Sequence, residues 1–161
     1  MNKLKDFLLN SIASSYIIPP PIRAKIYSLF GHKIKGVMMA GSFLGYGKGV
    51  LKVGKGSSCN YKCFFDLGSD ITIGENCNIS YKVTFVNSSH EVGSSEKRAK
   101  GGFAKSITVG NGCWIGANAT IMPSVTIGDG CIIGTGAIVT KNCEPNGLYV
   151  GIPAKRIKEL E

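Results

Sequence analysis

Residues 107–142 read ITVGNGCWIGANATIMPSVTIGDGCIIGTGAIVTKN, and the spacing within this stretch decides the fold. Val109, Ile115, Ile121, Ile127, Ile133 and Val139 recur at a constant step of six, and Gly110, Gly116, Gly128 and Gly134 directly follow four of them. A second ladder runs alongside: Cys113, Ala119, Val125, Cys131, Ala137 and Cys143, small or modest apolar residues four positions after each aliphatic. Six is not a multiple of the 3.6-residue helical turn, so a helix would carry the aliphatics around its axis. One long strand would need turns to bury both ladders. A coil of short strands with a corner every six residues buries both. The aliphatic fills the interior, glycine relaxes the corner, and the small residue fits where the wall turns inward.

The pattern extends upstream. Val53, Cys59 and Phe65 keep the step, with Ser57, Cys63 and Ser69 on the second ladder. A two-residue phase shift follows across Asp66–Asp70, after which Ile73, Ile79 and Phe85 resume, supported by Gly74, Cys77 and Val83. The interval from Phe85 to Val109 equals four six-residue steps, yet it lacks the pattern and reads instead NSSHEVGSSEKRAKGGFAK. This polar, glycine-bearing segment, about residues 87–105, is expected to leave the coil as one excursion loop and return in phase. Loops of that length in a compact domain are usually functional.

The chain begins differently. Leu4, Leu8, Leu9 and Ile12 form one helical stripe over residues 3–15, ended by Pro19, Pro20 and Pro21. A second short helix fits residues 21–30, with Ile22, Ile26, Leu29 and Phe30 as its apolar face and Gly31 as its stop. The apolar stretch at the start is short and interrupted by Asp6, Asn10 and Ser11, so it reads as a retained helix rather than a secretory signal. Residues 1–35 are therefore expected to cap the open end of a β solenoid formed by residues 36–161. A basic helix lying on a membrane surface is the other reading of this segment, so a peripheral membrane contact stays open.

Composition narrows the function classes. Of 161 residues, 43% are hydrophobic and 18% charged, which fits a folded domain and not a disordered one. The formal charge of +9 favours anionic partners. The basic residues are nevertheless dispersed, with no stripe of interleaved aromatics, so nucleic acid is not expected. The six cysteines include no C-x-x-C and have no paired histidines nearby, so no metal is expected. On the ladders they read as buried free thiols, in keeping with a reducing cytoplasm.

The two ladders with I-G-x-x-A/C spacing resemble the hexapeptide-repeat acyltransferases over roughly residues 50–158. Parallel crossovers generally prefer the right hand, so it is the resemblance that implies a left-handed parallel β-helix. The run from Ile107 to Asn142, followed by GLYVGIPAKRI, is similar to the sugar and xenobiotic O-acetyltransferase branch, including the maltose and galactoside enzymes. That resemblance implies a homotrimer with active sites between neighbouring coils and acetyl-CoA lying along the groove. It also implies a small sugar-like acceptor, here a sugar of a surface polysaccharide or its precursor.

Attack of a hydroxyl on a thioester calls for a base near neutral pH, and imidazole suits that task. Of the two histidines, His90 in N-S-S-H-E stands where the resembling enzymes keep their catalytic histidine, whereas His32 reads as an ordinary residue near a helix end. Asn87 and Glu91 are candidates to orient the imidazole or meet the acceptor, Glu91 reading equally well as a solvated carboxylate. By resemblance, Trp114 flanks the pantetheine arm near the acyl end, or else it packs at the subunit seam. Ala117 and Thr135 match backbone contacts to the pantetheine. Thr140 and Lys141 match positions near the pyrophosphate and adenine, and Ile152, Pro153 and Lys155 match the segment on the adenine and ribose phosphate.

Competing readings fare worse on counting. A γ-type carbonic anhydrase needs three imidazoles around zinc, and two histidines are present. An ice-binding face would show threonine ladders at the coil period, and Thr108, Thr120, Thr126, Thr135 and Thr140 are not expected to form one. A serine acetyltransferase would carry a long helical N-terminal domain. N-acetylation of an amino sugar, xenobiotic acetylation and a non-catalytic scaffold remain as alternatives.

Overall fold

The computed structural model describes residues 3–45 and 47–161. The chain is a parallel β-solenoid of about six turns, the expected left-handed β-helix, with a short helical cap at its N-terminal end. Each complete coil contributes one strand to each of three faces. Coil 3, for example, consists of Ile71–Ile73, Asn78–Ile79 and Thr84–Phe85, and coil 4 of Ile107–Val109, Trp114–Ile115 and Thr120–Ile121. Equivalent strands pair in parallel and in register from coil to coil, Trp114 against Asn78 on one side and Ile132 on the other. The aliphatic ladder points inward: Val109, Ile115, Ile121, Ile127, Ile133 and Val139 are all buried. Each such side chain contributes roughly 1.5–3 kcal/mol relative to exposure. Phe65 and Phe85 extend the ladder as stacked rings 5.2 Å apart.

The second ladder also holds, and all six cysteines are buried free thiols. The glycines play a different part from the expected one. A Cβ on Gly116 would lie 2.6 Å from the Thr135 nitrogen, so the glycines after each aliphatic allow coils to approach. The left-handed φ of the corner falls two residues later, at Gly112, Asn118, Ser124, Gly130 and Gly136, where asparagine and serine are tolerated as well.

The cap departs from the expected helical stripes. The first α-helix, Lys3–Phe7, runs into a π-helical segment, Leu8–Ala13. The wider turn breaks the 3.6-residue stripe, so Leu9 and Ala13 are buried while Leu4 and Ile12 are exposed. Asn10 sits where a preceding coil would be: its amide donates to the Leu44 carbonyl at 2.9 Å and accepts from the Leu44 N–H at 2.8 Å. It thereby covers the edge of the Phe43–Leu44 strand. The second helix, Pro20–Leu29, starts one residue earlier than expected and buries a different face. Ile22 and Leu29 are exposed, and Arg23 and Tyr27 point inward. The Arg23 guanidinium can be buried because it donates to four carbonyls, those of Ala13, Ser15, Ile18 and Met38, at 2.6–2.8 Å. The first strand, Lys33–Ile34, pairs with Leu51–Val53, so the solenoid begins directly after this helix.

Candidate active site

The excursion between coils 3 and 4 is an ordered antiparallel hairpin. Ser88–Val92 pairs with Ala99–Ala104, with a bulge between His90 and Val92. Its base is fixed to the preceding coil. Asp66 accepts from both the backbone N–H and the hydroxyl of Ser88, and Asn87 bonds the backbone of Ser69 through both ends of its amide. Asn87 is fully buried there. The phase shift across Asp66–Asp70 therefore marks the corner that receives the hairpin. Asp66 and Ser69 support the base of the hairpin, and that phase shift is their only signal in the sequence.

His90 lies opposite Gly102, and its Nδ1 is 3.1 Å from the Lys100 carbonyl oxygen. A carbonyl accepts but does not donate, so the proton resides on Nδ1 and Nε2 is left as the lone-pair nitrogen. A Cβ on Gly102 would stand 3.7 Å from the His90 ring, an ordinary van der Waals contact, so the imidazole crosses the hairpin directly beside this residue. Glu91 sits in the bulge beside Gly101 and is exposed. The group bonded to the imidazole is thus a backbone carbonyl, which side-chain reasoning could not have found.

The remaining candidates fall on two edges of the triangular prism. Trp114 is half-exposed, and its indole N–H lies 3.3 Å from the Ser80 hydroxyl. Backbone hydrogen bonds link Tyr61 to Lys82, Tyr81 to Asn118 and Ala117 to Gly136, so Tyr61, Tyr81, Ala117 and Thr135 hold equivalent corner positions on successive coils. The turn containing Ile152 and Pro153 extends this edge, bonding Ile138 through Gly151 and Ala154, and Lys155 opens the final strand beside it. The structure therefore brings Trp114, Ala117, Thr135, Ile152, Pro153 and Lys155 to one edge. Thr140 and Lys141 lie elsewhere, on the edge that carries the hairpin and His90. Both groups come together at one height only in the sense that the hairpin and the Tyr81-to-Ala117 step each lie between coils 3 and 4.

His32 is buried and apart from these edges. Its Nδ1 accepts from the Leu51 N–H at 3.2 Å, and burial, helped by Lys5, pushes its pKa down to about 4. Among the described residues no cluster of His, Cys, Asp and Glu could hold a metal, and no helix is long and apolar enough to cross a membrane.

The sequence profile of the bacterial transferase hexapeptide family (six repeats) matches residues 106–141. A putative acetyltransferase of Staphylococcus haemolyticus, SH0499, is 39% identical over 139 residues, which is 86% of this chain and 72% of that protein. For three other curated relatives the match spans between half and three-fifths of their length. The fold matches a maltose O-acetyltransferase from Clostridium difficile with a TM-score of 0.79 and 26% identity, over 99% of this chain and 84% of that one. It also matches a galactoside acetyltransferase in complex with coenzyme A, with a TM-score of 0.76 and 26% identity over 99% and 78% of the two chains. The repeat ladder and these relatives agree: the chain belongs to the hexapeptide-repeat acyltransferase family.

Proposed function

We propose that the protein is an acetyl-CoA-dependent O-acetyltransferase acting on a sugar of a surface polysaccharide or its precursor, with His90 as general base. The observation that carries this reading is the bond from His90 Nδ1 to the Lys100 carbonyl, which leaves Nε2 free to take a proton. In the proposed reaction the acceptor hydroxyl oxygen attacks the thioester carbonyl carbon as its proton passes to Nε2. The tetrahedral adduct then collapses, the carbon–sulfur bond breaks, and the imidazolium returns the proton to the departing thiolate.

The separation of the candidates onto two edges supports a homotrimer. Within one chain, His90 and the Trp114 edge flank different corners. Copies related by an axis parallel to the coil stack would place the hairpin of one against the Trp114 edge of the next, at the same height. Trp114, Ala117, Thr135, Thr140 and Lys141 would then line the acetyl-CoA groove, with Ile152, Pro153 and Lys155 at its nucleotide end. The ammonium of Lys155 suits a phosphate as a point charge. Buried free thiols and dependence on acetyl-CoA both fit a cytoplasmic protein.

Calorimetric titration with CoA tests the reading. One CoA per chain, bound more weakly by Lys155→Ala, is the expected result. No binding at millimolar CoA would leave a scaffold. Turnover confined to amino groups of sugars would replace O- with N-acetylation.

A further inference from the structure

We propose that Tyr16, Tyr61 and Tyr81 form a stacking track for an extended carbohydrate, so that the acceptor is an oligosaccharide or polymer chain and not a lone monosaccharide. This rests on the acyltransferase reading above and specifies the acceptor for it. The three rings are 64%, 40% and 52% exposed, an unusual concentration of aromatic surface on one edge of a small domain. Tyr16 and Tyr61 lie 5.9 Å apart with planes inclined by 11°. Tyr61 and Tyr81 hold the same corner position on neighbouring coils, since the Lys82 N–H donates to the Tyr61 carbonyl at 2.9 Å. Adjacent coils are separated by the spacing of paired strands, about 4.8 Å.

The track leads directly to the candidate acyl edge. The next residues in the same corner position are Ala117 and Thr135, and Ser80, beside Tyr81, accepts from the Trp114 indole. The tyrosines thus occupy the N-terminal half of an edge whose C-terminal half holds the donor candidates. A chain lying on the rings would present one unit at the junction between coils 3 and 4, the height of the hairpin that carries His90.

The platform is rigid before any ligand arrives. Tyr16 sits in the Ser14–Pro19 turn, and the buried Arg23 grips that turn at the Ser15 and Ile18 carbonyls while bonding Met38 of the first coil. The Gly41 N–H holds the Ser14 carbonyl at 2.8 Å. Rings held in place before binding lose little freedom when a ligand arrives. Between Tyr16, Tyr61, Pro19 and Met39 lies a hollow of about 170 Å³. That is below the roughly 300–1,000 Å³ of a cleft enclosing a drug-sized ligand, and it suits one ring of a longer chain.

The polar neighbours favour carbohydrate over an apolar partner. Asn60, Lys62, Ser80, Lys82 and Asn118 border the rings on the same edge and are at least partly exposed. A pyranose offers an apolar C–H face to a ring and hydroxyls around its rim to such groups, much as amphipathic aromatic side chains do at other recognition surfaces.

The test is titration of the full chain, by ligand-observed NMR, with two series of one to six units: maltooligosaccharides and β-galactooligosaccharides. Apparent affinity should rise at least ten-fold from one to four units in at least one series. The Tyr61→Ala/Tyr81→Ala variant should lose that rise while keeping its melting temperature and its CoA binding. Affinity that is flat with length, absent binding, or a length effect untouched by the variant would overturn the track. A fall in assembly mass of the variant would also overturn it, by making the edge a contact between copies. CoA titration of the unaltered protein reads the acyltransferase assignment separately: its failure, with length-dependent glycan binding intact, would sink that assignment and leave a glycan-binding edge.

Discussion

The imidazole of His90 is held by the backbone carbonyl of Lys100, 3.1 Å from Nδ1, across a hairpin whose opposing residue is Gly102. The arrangement sets the tautomer without a carboxylate, so no side chain next to His90 need be acidic for Nε2 to accept a proton. His90→Ala should leave fold and assembly intact and reduce turnover by about two to four orders of magnitude, the usual size of a general-base effect. Near-normal turnover would remove His90 from the reaction.

Gly102 offers a separate test of the same geometry. A leucine there would project from the point 3.7 Å from the His90 ring and displace the imidazole. A misplacement of about 1 Å can cost on the order of 10²-fold in rate. Gly102→Leu should therefore lower kcat while leaving CoA binding by calorimetry unchanged, and Gly102→Ala, whose methyl makes only ordinary contact, should be close to neutral. Equal kcat in the two variants would mean that the ring's position across the hairpin is immaterial.

The six-residue ladder made the solenoid legible because every coil repeats one environment: an inward aliphatic, a small corner residue and a close approach between coils. The excursion was legible as the place where that repetition stops. The internal pairing of the hairpin was not, because an exposed strand such as Ala99–Ala104 carries no alternation imposed by a core. The cap misled for a different reason. Apolar periodicity puts Leu29 inside, yet it is 82% exposed, and the helix turns Arg23 inward. Four carbonyls left over where the turn meets the first coil satisfy a buried cation, and no hydrophobic pattern registers leftover carbonyls. For the site, residue type and family position singled out His90. Its partner is a main-chain atom and its supports, Asp66 and Ser69, lie a full coil away in sequence.

His32 should make the cap sensitive to acid. Burial lowers its pKa to about 4 in the folded chain, against 6.5 for a free side chain, so the unfolded state binds the proton more readily between those values. Stability is complete above about pH 6.5 and is lost as pH falls towards about 4, by at most roughly 3 kcal/mol. His32→Asn keeps an acceptor for the Leu51 N–H and removes the titration. Denaturant melts at pH 7 and pH 4.5 should show a smaller difference for the variant than for the unaltered protein. An identical difference would assign the acid sensitivity to other groups.

Ile127 tests the solenoid interior. It is fully buried and bridges to Cys143 at the last turn. Ile127→Val should cost about 0.5–1.5 kcal/mol, the usual cost of one lost methyl group. Ile127→Asp places an unpaired charge in the same space and should cost well over about 3 kcal/mol or prevent folding. Comparable melting temperatures for the two variants would contradict the inward direction of the ladder.

Arg23 carries the most concentrated polar load in the cap. Its guanidinium serves the carbonyls of Ala13, Ser15, Ile18 and Met38, joining the π-helical segment, the proline turn and the first coil. Arg23→Met has similar length but no donors, so it strands those carbonyls in a buried site at about 1–3 kcal/mol for each one that water cannot reach. Lysine restores the charge as a point and not as a planar fork, so it can serve only some of the four. Stability should therefore fall in the order arginine, lysine, methionine. Limited proteolysis should first cut the methionine variant in residues 14–19, with the coils from Leu51 onward still protected. Cleavage that begins in the coils instead would show that the cap and solenoid unfold as one unit, and that Arg23 contributes to both.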